Sequence, residues 1–166
     1  MGQKDRASSP VGAWQRFAAA VTAIVFFSSA FALAQAAGSR QKITFMPAGA
    51  TVLAEYAETA AERARGLMFR TSMGEREAML FSFEAPALQT FWMYHTRIPL
   101  TVIFVDDNFR IVDMQDMAPC PAEDPGACPL YTSRLKARRA IEVNQGFAAK
   151  YGIKVGDHIV VGKTGR

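Results

Sequence analysis

Phe91-Trp92-Met93-Tyr94-His95-Thr96-Arg97-Ile98-Pro99-Leu100 gathers the chain's unusual residues into ten positions. It holds one of the two tryptophans and one of the two histidines. Read as a strand, residues 89–96 put Phe91, Met93 and His95 on one face and Trp92, Tyr94 and Thr96 on the other. Large side chains on both faces mark a strand that is central or lines a cavity. Pro99 lacks an N–H and stops it from continuing as a paired central strand.

Working outward, residues 100–105 (LTVIFV) read as a short apolar strand, Asp106-Asp107-Asn108 as a hairpin loop, and residues 109–114 (FRIVDM) as the return. The return places Phe109, Ile111 and Asp113 on one face. Upstream, residues 78–83 (AMLFSF) form a strand in which Met79 and Phe81 alternate with Leu80, and residues 84–87 turn the chain. Two earlier strands, residues 42–46 and 51–57, flank a turn at residues 47–50. In them Ile43 and Phe45 share a face, as do Val52, Ala54 and Tyr56.

Thr59-Ala60-Ala61-Glu62 is a capping box: the Thr hydroxyl accepts the N3 amide and the Glu carboxylate reaches back. It predicts a helix through Ala64 that stops near Gly66. Leu67-Met68-Phe69 is then expected to turn three large apolar side chains into the core, with Arg70 following and a polar loop at residues 71–76. Near the C-terminus, residues 140–143 read as a strand and Asn144 as the cap of a helix over residues 145–151. Gly152 closes that helix and a last strand spans residues 158–161. The fold expected is mainly β (α+β): a small barrel-like or strongly bent antiparallel sheet of about eight or nine short strands with one or two helices packed on it. A sandwich is the alternative.

The N-terminus reads differently. Lys4, Arg6 and Arg16 precede an uncharged run over residues 17–34 that ends Ala32-Leu33-Ala34. A basic start, an apolar segment and a small-x-small site define a secretory signal peptide. The competing reading is an uncleaved anchor, since 18 uncharged residues reach the lower limit for a bilayer span. Ser28, Ser29, Thr22 and many alanines make the run only mildly apolar and favour cleavage, after Ala34 or after Ala36. The expected organisation is a signal peptide at 1–34, a lead at 35–41, one domain at 42–161 and a tail at 162–166. Cleavage removes three basic residues and one acid, lowering the net charge from +4 to +2. A nearly neutral domain argues against nucleic-acid binding. The expected location is the periplasm or cell envelope, with membrane contact only through the N-terminal segment if it is retained.

Export also sets the cysteine reading. Cys120 and Cys128 are the two cysteines of the chain. An even pair in an oxidising compartment reads as a disulfide, with two free buried thiols as the alternative.

Arg65-Gly66-Leu67-Met68-Phe69-Arg70, Ala78-Met79-Leu80-Phe81, Phe91-Trp92-Met93 with Thr96, and Ile98-Pro99-Leu100 resemble the DUF192 family. Ala140-Ile141-Glu142-Val143-Asn144-Gln145-Gly146 and Gly152-Ile153-Lys154-Val155-Gly156-Asp157 are similar to its C-terminal block. The resemblance covers about residues 50–161. It implies a small β-rich domain, often exported, and little about activity, because the family is uncharacterised. Two departures stand out. Tyr94 and His95 occupy places where the family commonly has a basic residue and an asparagine, and Thr101 stands where it commonly has an aspartate. The missing carboxylate weakens an acid–base role at that point.

An aromatic wall with a few aimed polar groups is the form of a small-molecule site. Arg70, Trp92, His95, Thr96 and Glu142 are the candidates for one ligand pocket, with Arg70 able to pair either Glu142 or a ligand carboxylate. The bland reading makes Trp92 core and Arg70–Glu142 a structural ion pair. His95 lacks a second histidine at ligand spacing. Met114, Met117 and Cys120, with Met93 and His95, offer soft ligands for copper, but methionine is an ordinary core filler and Cys120 is expected to pair with Cys128. Arg134, Lys136, Arg138 and Arg139 form a basic run that reads as a solvated face. No nucleophile motif, Walker loop or dinucleotide fingerprint is present. The expectation is therefore a monomeric, non-catalytic binding or accessory module for a small molecule or envelope component, without metal or cofactor. The alternative is an enzyme acting on a small or glycan substrate through Arg70, His95 and Glu142.

Overall fold

The computed structural model describes residues 39–163. The expected signal segment, its cleavage sites and the last residues of the tail lie outside them. Nine strands and two short helices follow in the order β1 (Arg40–Met46), β2 (Ala50–Ala57), α1 (Ala60–Arg65), β3 (Glu77–Ala87), β4 (Thr90–Trp92) and β5 (Leu100–Val105). Then come β6 (Ile111–Met117), β7 (Leu130–Thr132), β8 (Ala137–Asn144), α2 (Phe147–Tyr151) and β9 (His158–Lys163). Seven strands make one sheet in the order β6-β5-β8-β3-β2-β1-β9, and β4 pairs with β7 in a separate ribbon. All pairings are antiparallel except β2 with β3, which run parallel because α1 carries the chain across between them. The sheet curls until its outer strands meet at one end. There Arg110 bridges His158, and the Ile111 N–H donates to the Asp157 carbonyl at 2.8 Å. Mostly β, with a half-barrel sheet, is the architecture the sequence predicts; the sandwich alternative falls.

The central strands bury both faces. On one face Ile43, Phe45, Val52, Leu80, Ile103, Ile111, Ile141 and Val143 pack with Phe147 of α2. On the other, Met79, Phe81, Val102, Phe104 and Ala140 pack beneath Phe91, Met93, Ile98 and the cysteine loop. Every residue of β5 is consequently buried. A continuous apolar run is what a doubly covered strand requires. No helix among the described residues is long and apolar enough to cross a membrane.

Several local expectations are corrected. The capping box forms: the Thr59 Oγ1 accepts from the Glu62 N–H at 3.2 Å, and a Glu62 carboxylate oxygen accepts from the Thr59 N–H at 2.8 Å. Past it, however, only Leu67 of the apolar triplet is fully buried. Phe69 is 57% exposed, because Gly66 and Phe69 both adopt positive φ and redirect the chain. Residues 84–87 are not a turn; β3 runs through them with a register shift between Ser82 and Ala87. The strand expected over residues 89–96 stops at Trp92, and strict alternation fails at His95, whose φ is 53°. Asn144 does not cap α2. Gly146 sits at that position, while the Asn144 amide donates to the Met73 and Gly74 carbonyls. Gly152 closes α2 in the left-handed conformation as expected.

Candidate functional site

Strand alternation decides where Glu142 points. Ile141 and Val143 belong to the core that holds α2, so the side chain between them enters the opposite core. Glu142 lies across from Met79 of β3 and Val102 of β5, and the residue is only 4% exposed. Its Oε2 has no hydrogen-bond partner. Burial pushes the carboxyl up to about 8, since desolvation disfavours the charged form.

Glu142 lines a small recess of about 30 Å³, enough to hold a water molecule. The carbonyl end of α1, from Arg63 to Met68, forms one side. Phe81 and Phe91 back it, and Trp92, Tyr94 and Thr96 complete it. Gly66 belongs to this wall: its φ is 46°, and a Cβ there would lie 3.6 Å from the Phe81 ring. Arg63 reaches across to donate to the Glu58 carbonyl and to the Ser82 carbonyl at 3.1 Å. Its guanidinium lies 5.7 Å from the centre of the Phe83 ring. Trp92 is 40% exposed and stands 5.5 Å from the Tyr94 ring, so the wall continues outward as an aromatic face. Tyr94 is held from behind by its backbone bridge to Cys120 and by its hydroxyl, which donates to the Glu123 carbonyl. Cys120 and Cys128 are joined as a disulfide, with Cα atoms 5.8 Å apart. Cys120 therefore offers no thiolate to a metal.

Three of the five candidate residues thus border one recess: Trp92, Thr96 and Glu142. Thr96 is buried, its N–H donating to the Met93 carbonyl at 2.9 Å. The other two are placed elsewhere. Arg70 pairs neither Glu142 nor an open space, because its Nη2 donates to both Glu55 oxygens at 2.9 and 2.8 Å. His95 stacks on Phe69 with ring centres 4.9 Å apart and lies 3.8 Å from the Tyr94 ring, and it does not line the recess. Sequence reasoning missed Phe81, Phe91, Tyr94 and the end of α1. The Arg65-Gly66-Leu67 motif was the available signal, since a glycine between a helix and a buried leucine marks a backbone turn at positive φ.

A second groove, of about 370 Å³, opens between β6 and α2. Its polar groups satisfy one another: Thr101 donates to Asp116 at 2.6 Å, and the Gln145 amide to the same carboxylate at 3.2 Å. It is larger but presents no buried group in want of a partner. The basic run is dispersed: Arg134 lies 3.6 Å from Asp113, Arg138 lies 3.8 Å from Asp107, and the Arg139 guanidinium covers the Phe109 ring at 4.2 Å.

A family model for DUF192, described as an uncharacterized ACR, matches residues 43–161. Among solved structures, a protein of unknown function from Novosphingobium aromaticivorans DSM 12444 is 34% identical. That match covers 73% of this chain and 83% of the other, with a TM-score of 0.63. A protein from Sinorhizobium meliloti 1021, named as a candidate transcription regulator, is 25% identical. Here the cover is 74% of this chain and 92% of the other, with a TM-score of 0.64. No curated protein matches the chain.

Proposed function

The chain belongs to the DUF192 family, and from that premise we propose that it is an exported, non-catalytic module that binds a small molecule in the periplasm or cell envelope. One observation carries the reading. Glu142 lines a recess that also includes the exposed Trp92, and its Oε2 is buried without a partner. Buried polar atoms are nearly always satisfied, so one without a partner beside a recess is where a ligand group or a water would supply the missing hydrogen bond. Export is supported by the basic and apolar N-terminal segment and is compatible with the disulfide. A thermal-shift screen of wild type and Trp92→Ala against envelope metabolites tests the binding half. A compound that stabilises wild type alone supports it; a screen in which no compound stabilises wild type overturns it. Intact mass of protein recovered from the envelope tests the other half: loss of 34 or 36 residues is expected, and a full-length soluble cytoplasmic product overturns export.

A second reading, an enzyme, draws on the same carboxyl. An acid that keeps its proton at neutral pH is suited to general acid–base work. Arg70 and His95 do not border the recess with it, so this reading rests on Glu142. Turnover that vanishes in a folded Glu142→Gln variant would establish it, and unchanged turnover would remove it.

A further inference from the structure

We infer that the recess at Glu142 takes the primary ammonium group of an amine ligand, whose remaining body lies along the exposed face of Trp92. The inference rests on the binding reading of the same recess and names the chemistry of its ligand.

Size comes first. A recess of about 30 Å³ suits a compact head group such as an ammonium or a hydroxyl better than a phosphate or a sugar ring. Chemistry comes second. Glu142 lines the recess and its Oε2 has no partner; in the ionised form that oxygen only accepts, so a cationic donor is the group that complements it. Phe81, Phe91, Trp92 and Tyr94 line the recess too, and aromatic side chains attract ammonium groups. Hydroxyl heads fit the recess and can donate, but they carry no charge to pair with the carboxylate and gain less from the aromatic lining.

The ionisable groups that border the recess with Glu142 are Arg63 and Arg65 from α1 and Tyr94 from the segment after β4. Flanking strands contribute Met79 and Val102, which carry no charge. Arg63 is committed to the Glu58 and Ser82 carbonyls, and Arg65 is exposed at the rim. Burial alone holds the Glu142 carboxyl protonated at neutral pH. Binding an ammonium converts it to a carboxylate and sends its proton to solvent, so that charge is conserved. The ligand then supplies the counter-charge that makes ionisation tolerable.

The test titrates the full chain with ethylammonium and with ethanol, which match in length and differ in the head. The readout is the indole N–H resonance of Trp92, assigned by its loss in Trp92→Phe. Ethylammonium is expected to shift it saturably and to bind at least tenfold more tightly than ethanol. Glu142→Gln should weaken ethylammonium at least tenfold. Because that variant could repack, wild type supplies an independent measurement. At pH 7 close to one proton should be released per ethylammonium bound, and affinity should rise about tenfold from pH 6 to pH 7. Equal binding of ethanol, or binding with no proton release, overturns the ammonium assignment while leaving a site for a neutral donor. Failure of both probes to move Trp92 leaves the recess to water and overturns it too. The separate metabolite screen then decides whether the broader binding reading falls with it.

Discussion

The Phe69 N–H donates to the carbonyl of His95 at 2.8 Å, and both residues hold positive φ, 64° and 53°. Their rings stack with centres 4.9 Å apart. Two segments far apart in sequence are thereby fastened back to back over the second core. One brings the end of α1 to the recess and the other brings Trp92, Tyr94 and Thr96. A non-glycine residue in the left-handed region costs about 1–2 kcal/mol, which the hydrogen bond and the stack offset.

That cost gives a prediction at position 95. Valine is β-branched and tolerates positive φ poorly, whereas glycine adopts it freely, and both lack the ring. His95→Val should therefore be less stable than His95→Gly by about 1–2 kcal/mol. Urea unfolding of the two variants measures the gap. Equal stability would show that the backbone is not held left-handed at His95.

Glu142 predicts a pH dependence with a definite sign. Its folded value is raised from 4.5 to about 8. Below 4.5 both folded and unfolded chains hold the proton, and the group costs no stability. As pH rises toward 8 the unfolded chain ionises while the folded chain does not. Stability is then lost at up to about 1.4 kcal/mol per pH unit, with the loss levelling off above 8. Glu142→Gln removes the titrating group. Its stability relative to wild type should increase between pH 5 and pH 8, by an amount on the order of several kcal/mol. Denaturant midpoints for both proteins at the two pH values check this. A constant difference would mean that Glu142 is solvated and the recess is open to bulk water.

Much of this was legible from side-chain pattern alone. KITFM and LTVIFV mark their strands because alternation and unbroken apolar runs report one-sided and two-sided burial directly. Thr59 and Glu62 mark the start of α1 because a cap is a local hydrogen-bond arrangement. What stayed hidden depends on backbone signs and distant partners. Nothing local to Phe69 or His95 announces positive φ, so the expected inward Phe69 and the expected strand alternation through His95 both failed. Arg70, in the loop after α1, found Glu55 of β2 fifteen residues away, where composition offered Glu142 equally well. Glu142 itself was visible: a lone carboxylate in an Ala-Ile-Glu-Val strand is either at the surface or buried for a reason. Only the register with Met79 and Val102 decides for burial.

Arg70 separates the expected pocket from the observed one. Its guanidinium is bound to Glu55, and both side chains are partly exposed at 27% and 29%. Pairs of this kind contribute about 0–1 kcal/mol in water. Arg70→Ala should therefore cost less than about 1 kcal/mol and leave any ligand affinity unchanged, while Trp92→Ala lowers that affinity. Parallel calorimetric titrations of the two variants distinguish them. Loss of binding in Arg70→Ala with stability intact would return Arg70 to the site.

The disulfide reaches the recess through Tyr94. Cys120 and Cys128 close a loop with a sequence separation of eight residues, and Cys120 bridges the Tyr94 backbone directly. Chain-entropy arguments give a loop this short about 2–3 kcal/mol of stabilisation, through restriction of the unfolded chain. For a domain of this size that corresponds to a fall in Tm of roughly 10 °C on reduction. A merely entropic staple would do no more. Here both half-cystines are buried against the same core as Phe91 and Met93, and Tyr94 stands 5.5 Å from Trp92. Replacing both cysteines with alanine should therefore lower Tm and also move the Trp92 indole resonance. Intact mass should show wild type two hydrogens lighter than its reduced form. Labelling of free thiols in the native exported protein would contradict the pairing. A lowered Tm with an unmoved Trp92 would confine the disulfide to the unfolded-state effect and detach it from the recess.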